Sequence, residues 1–218
     1  LAELCPTDRL LDLKHETATT PVIAKIEMPQ ALKNLEEIVQ TADGIMVARG
    51  DLGVEMDIAQ VPVAQKRIIR ACATWGRPCI VATQMLETMI ENVLPTRAEA
   101  SDVANAIFDG TDAVMLSAET ATGKHPVIVV ETMRRIIAAA EERIAEDPPH
   151  PSAPVELIKS KYPTAALAHG AWQIAQDVGA KAIVCWSQNG GTARYLSQND
   201  FRVPIVAYSS SVRSTRRM

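Results

Sequence analysis

Paired cysteine is missing from this sequence. Cys5, Cys72, Cys79 and Cys185 lie far apart and form no C-x-x-C spacing. That excludes the common zinc motifs and a disulfide framework, and it points to a reducing, cytoplasmic compartment. Cys79 and Cys185 sit inside apolar runs, as buried free thiols do. His15, His125, His150 and His169 are scattered too, which excludes a histidine metal cluster. No charge of one sign dominates: 22 Lys and Arg stand against 26 Asp and Glu, a net charge of −4. Such a balance leaves no footprint for nucleic acid or for an anionic membrane. No apolar run is long enough to span a bilayer, and no signal-peptide pattern opens the chain. The first residue is Leu1, and no clear cap marks the first helix, so further sequence is expected upstream.

What is present is a large apolar fraction, 47% of 218 residues. That suffices for one large domain, or for one domain and part of another. The most informative stretch is Val22 to Glu27, an apolar run that carries two opposite charges near its end. In a strand, Lys25 and Glu27 point the same way. Burying either charge alone costs several kcal/mol, roughly, so two charges on one face need a reason. A structural ion pair is one reason, and a site is the other.

The event recurs along the chain. A helix is expected over 31–39 and ends at Asp43-Gly44. A second apolar run, Gly44 to Ala48, ends in Arg49-Gly50-Asp51-Leu52-Gly53. A helix over 61–75 follows, stopped by Gly76 and Pro78. The third run, Cys79 to Ala82, ends in Thr83-Gln84. Thr96-x-x-Glu99 is a capping box that opens a helix to Phe108. The fourth run, Asp112 to Leu116, ends in Ser117-Ala118-Glu119, before a helix over 127–145. Four strand–helix units with near-continuously apolar strands predict a parallel sheet covered on both faces. Polar residues gather at the strands' carboxyl ends, where such folds build their sites.

These observations predict an α/β chain: the C-terminal half of a (β/α)8 TIM barrel followed by part of a second α/β domain. A doubly wound sheet fits the same periodicity, and contributions from four consecutive strand ends favour the barrel. The half-barrel takes residues 1–146. Leu10, Leu11 and Leu13 suit a short helix at its start. Residues 147–154, rich in proline, form a linker. Residues 155–218 open the second domain, with a helix over 165–178, strands over 182–186 and 205–208, and a glycine turn at 187–191 before a short helix from Thr192. Four strands would leave unpaired edges, so the isolated chain is expected to be inactive and poorly soluble.

The strand ends offer Lys25, Glu27, Arg49, Asp51, Thr83, Ser117 and Glu119. Two carboxylates with room for water and substrate oxygens suit Mg²⁺, which makes Glu27 and Asp51 the candidate metal ligands. For Asp51 the alternative is a helix cap. The Arg49–Gly53 segment lets backbone approach an anion, or it is a plain turn. Lys25 suits charge neutralisation on a phosphoryl group, or a Schiff base with a keto acid. Thr83 offers a hydroxyl or packs as a β-branched side chain. Ser117 and Glu119 are supporting residues or helix caps. Met85, Met89 and Ile90 read as packing.

Val-Ile-Ala-Lys-Ile-Glu (22–27), Gly-Ile-Met-Val-Ala-Arg-Gly-Asp-Leu-Gly-Val-Glu (44–55), Ala-Thr-Gln-Met-Leu-Glu (82–87), Pro-Thr-Arg-Ala-Glu (95–99) and Val-Met-Leu-Ser-Ala-Glu-Thr-Ala (114–121) resemble pyruvate kinase. The resemblance runs from Pro21 to Ala145 and continues more weakly to the end. It implies a cytoplasmic glycolytic transferase that moves a phosphoryl group between phosphoenolpyruvate and ADP, giving pyruvate and ATP. It implies Lys25, Thr83, Ser117 and Glu119 as catalytic residues, with Lys25 stabilising the group in flight. It implies substrate binding by Ala48, Arg49, Gly50, Asp51 and Thr83, and Mg²⁺ or Mn²⁺ on Glu27 and Asp51. It implies K⁺ on ligands upstream of these residues, and a homotetramer. Ala118 stands where the family often has glycine, and residues 187–194 only partly match the family's effector loop. The alternatives are a metal-dependent pyruvate-enolate lyase or aldolase, and a non-catalytic fragment.

Overall fold

The computed structural model describes residues 20–146, 159, 161–199 and 203–216. The expected helix near Leu10 and the expected linker at 147–154 lie outside the described residues. The chain divides into two compact units, the first mostly residues up to Pro149 and the second mostly residues from His150.

In the first unit four strands form one parallel sheet in chain order: β1 (Ile23–Ile26), β2 (Gly44–Ala48), β3 (Cys79–Ala82) and β4 (Ala113–Met115). Sequential order without a reversal is the winding of a (β/α)8 barrel; a doubly wound sheet switches direction. β2 and β3 are paired on both sides, and Ile45, Val47 and Val81 are 0% exposed. Fully burying each such side chain contributes about 1.5–3 kcal/mol, which is why these two strands read as unbroken apolar runs. β1 and β4 are paired on one side only among the described residues, and Ile23 is half exposed. An aspartate before each of two strands helps set the register. Asp43 accepts the Val22 amide at 2.9 Å, and Asp112 accepts the Cys79 amide at 2.7 Å.

The connections are helical: α1 (Pro29–Lys33), α2 (Leu35–Thr41), α3 (Arg49–Glu55), α4 (Val61–Trp75), α5 (Arg97–Phe108), α6 (Ala118–Ala121) and α7 (Pro126–Glu146), with 3₁₀ turns at Ile58–Gln60 and Glu87–Ile90. The single helix expected over 31–39 is two. Asn34, at φ −107° and ψ 22°, breaks it, and asparagine is a weaker helix former than the Lys33 and Leu35 that flank it. Cys72 and Cys79 are both 1% exposed, whereas Cys185, expected buried, is only half-buried. A hydrogen bond shared with Cys79, and then burial, push the Cys72 thiol up, so it stays protonated. The second unit has a two-stranded parallel sheet, β5 (Ile183–Trp186) and β6 (Ile205–Tyr208), with α8 (Pro163–Asp177), α9 (Gly191–Ser197) and α10 (Val212–Thr215). Among the described residues no helix is long and apolar enough to cross a membrane.

The capping box of α5 does more than cap. Besides the Thr96 amide and hydroxyl (2.7 and 2.9 Å), the Glu99 carboxylate accepts the Thr88 amide and hydroxyl, both at 2.6 Å. It thus ties the chain after β3 to the helix before β4. Burial alone would raise the Glu99 pKa, but the four hydrogen bonds outweigh it and hold the carboxyl below its ordinary 4.5. A depressed carboxyl adds stability above its unfolded pKa, and that stability is lost as pH falls through the folded value. The stability gap between the parent and Glu99→Gln, read from urea unfolding, is therefore expected to hold near neutrality and to shrink below pH 4.5. A gap independent of pH would mean the four bonds do not favour the charged form.

Candidate active site

All the candidate residues lie at or just beyond the carboxyl ends of the four parallel strands. Lys25 is the third residue of β1, and Glu27 follows its end. Their side chains share a face, and Lys25 Nζ lies 2.5 Å from Glu27 Oε2. Asp51, in the first turn of α3, brings Oδ2 to 2.7 Å from the same nitrogen. Ala48 occupies the N-cap position of α3 without a side-chain bond, and the Asp51 carboxylate meets Lys25. The hydrogen bonds to Asp51 and then Glu27 raise the Lys25 pKa above its ordinary 10.5, against a smaller effect of burial. Lys25 is therefore a fixed positive charge throughout the neutral range.

The two carboxylate oxygens converge on one point, at 2.5 and 2.7 Å, and their side chains are 43% and 53% exposed. Hard oxygen donors, open to water and few in number, fit a cation that keeps several waters and takes the rest of its shell from substrate. Among the described residues no group of three or more His, Cys, Asp or Glu gathers as a metal cluster.

Next to this group the end of β2 meets the end of β3. The Gly50 amide donates to Thr83 Oγ1 at 2.8 Å, and that hydroxyl donates to the Ala82 carbonyl at 2.6 Å. The fit is close: a Cβ on Gly50 would stand 3.3 Å from Thr83 Oγ1. Thr83 and Gln84 both have positive φ, 70° and 53°. For non-glycine residues this costs of order 1–3 kcal/mol each, and such strain gathers at functional sites. The Arg49 backbone starts α3, but its side chain turns inward and is buried. Its guanidinium donates to the carbonyls of Thr83 and Gln84 and to Asp102. Asp102 carried no signal in the sequence, and Gln84 stood there only as part of the polar Thr83-Gln84 strand end. Asp102 lies 53 positions from its partner, and an acidic residue on a helix is ordinary.

At the end of β4, Glu119 is 0% exposed. Its carboxylate accepts the Ser117 amide at 2.6 Å and the Leu86 amide at 3.2 Å, joining the β4 end to the segment after β3. Ser117 occupies the N-cap position of α6 without a side-chain capping bond. Met85 and Met89 are 0% exposed, as packing residues should be. Thus Lys25, Glu27 and Asp51 form one group, Arg49, Gly50 and Thr83 a second contiguous with it through Gly50-Asp51, and Ser117 and Glu119 a third.

Two family models match this chain: "Pyruvate kinase, barrel domain" over residues 9–130 and "Pyruvate kinase, alpha/beta domain" over residues 165–218. The chain is 48% identical over 205 residues to a pyruvate kinase of Mycobacterium tuberculosis, covering 92% of this chain and 42% of that protein. It is 44% identical over 212 residues to a pyruvate kinase of Thermotoga maritima, covering 95% of this chain and 43% of that protein. Among solved structures, a pyruvate kinase from Cryptosporidium parvum superposes with a TM-score of 0.83 at 36% identity, over 98% of this chain and 46% of that one. The chain therefore spans less than half the length of each of these relatives.

Proposed function

This chain belongs to the pyruvate kinase family, and from that premise we propose that its protein transfers a phosphoryl group between phosphoenolpyruvate and ADP in glycolysis, giving pyruvate and ATP. The observation that carries the reading is the Lys25 ammonium standing between the Glu27 and Asp51 carboxylates, beside the Gly50–Thr83 pair. In the forward reaction the bond from phosphorus to the enol oxygen breaks, and a β-phosphate oxygen of ADP takes the phosphoryl group. The enolate left behind takes a proton on carbon to become pyruvate. Such transfers need little covalent help from the protein, so positioning and charge dominate.

Each group has a part in this scheme. Lys25 holds a positive charge toward the phosphoryl oxygens in flight. The Gly50 amide would leave Thr83 Oγ1 and the Thr83 hydroxyl would leave the Ala82 carbonyl, both to donate to the substrate carboxylate, with the backbone of Ala48 and Arg49 shaping that corner. Glu27 and Asp51 would hold Mg²⁺ or Mn²⁺, which would supply charge neutralisation on phosphoryl and enolate oxygens. Ser117 stands on the proton-transfer side, and Glu119 fixes it there through its amide. The proposal includes a K⁺ requirement, a homo-oligomer and action in the cytoplasm, all taken from the family.

The lyase and aldolase alternatives share Lys25, Glu27 and Asp51, but the relatives do not favour them. Borohydride separates the chemistries. With pyruvate present, Lys25 is expected to stay unmodified, because its bond to carboxylates keeps it charged rather than nucleophilic. A reduced pyruvate adduct on Lys25 would overturn the reading.

A further inference from the structure

β3 leaves the sheet through two consecutive left-handed residues, Thr83 and Gln84, neither of which is glycine. For a β-branched residue this region is a genuine outlier, so the surrounding structure must impose it. Arg49 is what surrounds it. The residue is 9% exposed, and Nη2 reaches the Thr83 carbonyl at 2.8 Å and the Gln84 carbonyl at 3.1 Å, with Met85 Sδ at 2.8 Å. Nη1 is anchored on Asp102 Oδ2 at 2.5 Å, from α5. Arg49 immediately precedes Gly50, whose amide meets Thr83 Oγ1. One side chain therefore straps the end of β3 to the start of α3, and it grips the strained residues by their own carbonyls.

We propose that Arg49 is a positioning residue for the substrate carboxylate, acting through the Thr83–Gln84 corner. Its guanidinium holds that corner left-handed, and the corner sets the Thr83 hydroxyl against the Gly50 amide, the two donors assigned to the carboxylate. This rests on the pyruvate kinase reading. The planar fork is essential, because one nitrogen must serve two adjacent carbonyls while the other holds Asp102. Lysine keeps the charge and loses the fork.

The test compares the parent, Arg49→Lys, Gln84→Gly and the double variant in the natural protein that carries these residues. Arg49→Lys is expected to raise the KM for phosphoenolpyruvate about tenfold or more, the scale of weakened hydrogen bonds to a charged group. The KM for ADP, which does not use this corner, stays within about twofold. Glycine adopts the left-handed region without cost, so Gln84→Gly is expected to recover much of the Arg49→Lys loss. A structural role alone would move both KM values or neither. Hydrogen exchange at the Gly50 amide, expected about tenfold faster in Arg49→Lys, reads the corner without any turnover. Asp102→Asn loosens the far anchor at a side chain 41% exposed and serves where Arg49→Lys does not fold, with a smaller KM rise, again reduced by Gln84→Gly. An unchanged KM for phosphoenolpyruvate, or a loss that Gln84→Gly leaves untouched, overturns the proposal. A parent that makes no ATP overturns the functional reading instead, and Gly50 exchange then decides the role of Arg49.

Discussion

Lys25→Met is expected to lower the rate of phosphoryl transfer by about 10²–10³ or more, the usual effect of removing a fixed charge aimed at a transition state. Enolpyruvate protonation, followed as solvent hydrogen entering pyruvate, should fall much less because it moves no phosphoryl group. The asymmetry follows from geometry. Lys25 is held between two carboxylates and stays charged, which on the proposed reading lets it present charge and not shuttle a proton. Methionine matches the lysine stem as far as Cε and lacks the ammonium. Near-normal ATP formation by the variant would end this assignment, and equal loss of both half-reactions would shift Lys25 toward proton transfer.

Glu27→Gln and Asp51→Asn are expected to raise the Mg²⁺ concentration needed for half-maximal activity by at least 10- to 100-fold. Even residues that only support a metal ligand cost that much, and here a donor and its charge go together. The two substitutions should also be similar in size, because both carboxylates approach one point from adjacent strand ends. Removing either leaves Lys25 with one partner, so part of the loss will come from a displaced ammonium. Adding Lys25→Met to either variant separates the two effects, since a metal defect persists without the lysine. Metal titrations that match the parent would make both residues structural acids.

Much of this was legible because parallel strands advertise themselves. Four apolar runs, each closed by polar residues and followed by a helical pattern, marked four strands, and Lys25 and Glu27, two residues apart at the end of one of them, had to share a face. The capping box at Thr96 and Glu99 marked the start of α5. What stayed hidden depends on contacts between distant residues. Arg49 read as part of a backbone turn, yet its side chain is a buried strap, because its anchor Asp102 is 53 positions away on another helix. Glu119 read as supporting or capping, and its carboxylate gathers the Ser117 and Leu86 amides across two strand ends. The left-handed corner at Thr83 and Gln84 ran against local preference, which calls for glycine there. Local rules fail where tertiary contacts impose strain, and here they failed at the site.

The central claim is that Lys25, Glu27 and Asp51 form one site, joining a cation to a phosphoryl group at the ends of β1 and β2. The most direct measurement is Mn²⁺ binding by electron paramagnetic resonance, in the natural protein that carries these residues, with pyruvate present. One tight Mn²⁺ is expected in the parent, with affinity falling about 10- to 100-fold in Glu27→Gln and in Asp51→Asn. Mn²⁺ binding unchanged in both variants would contradict the account.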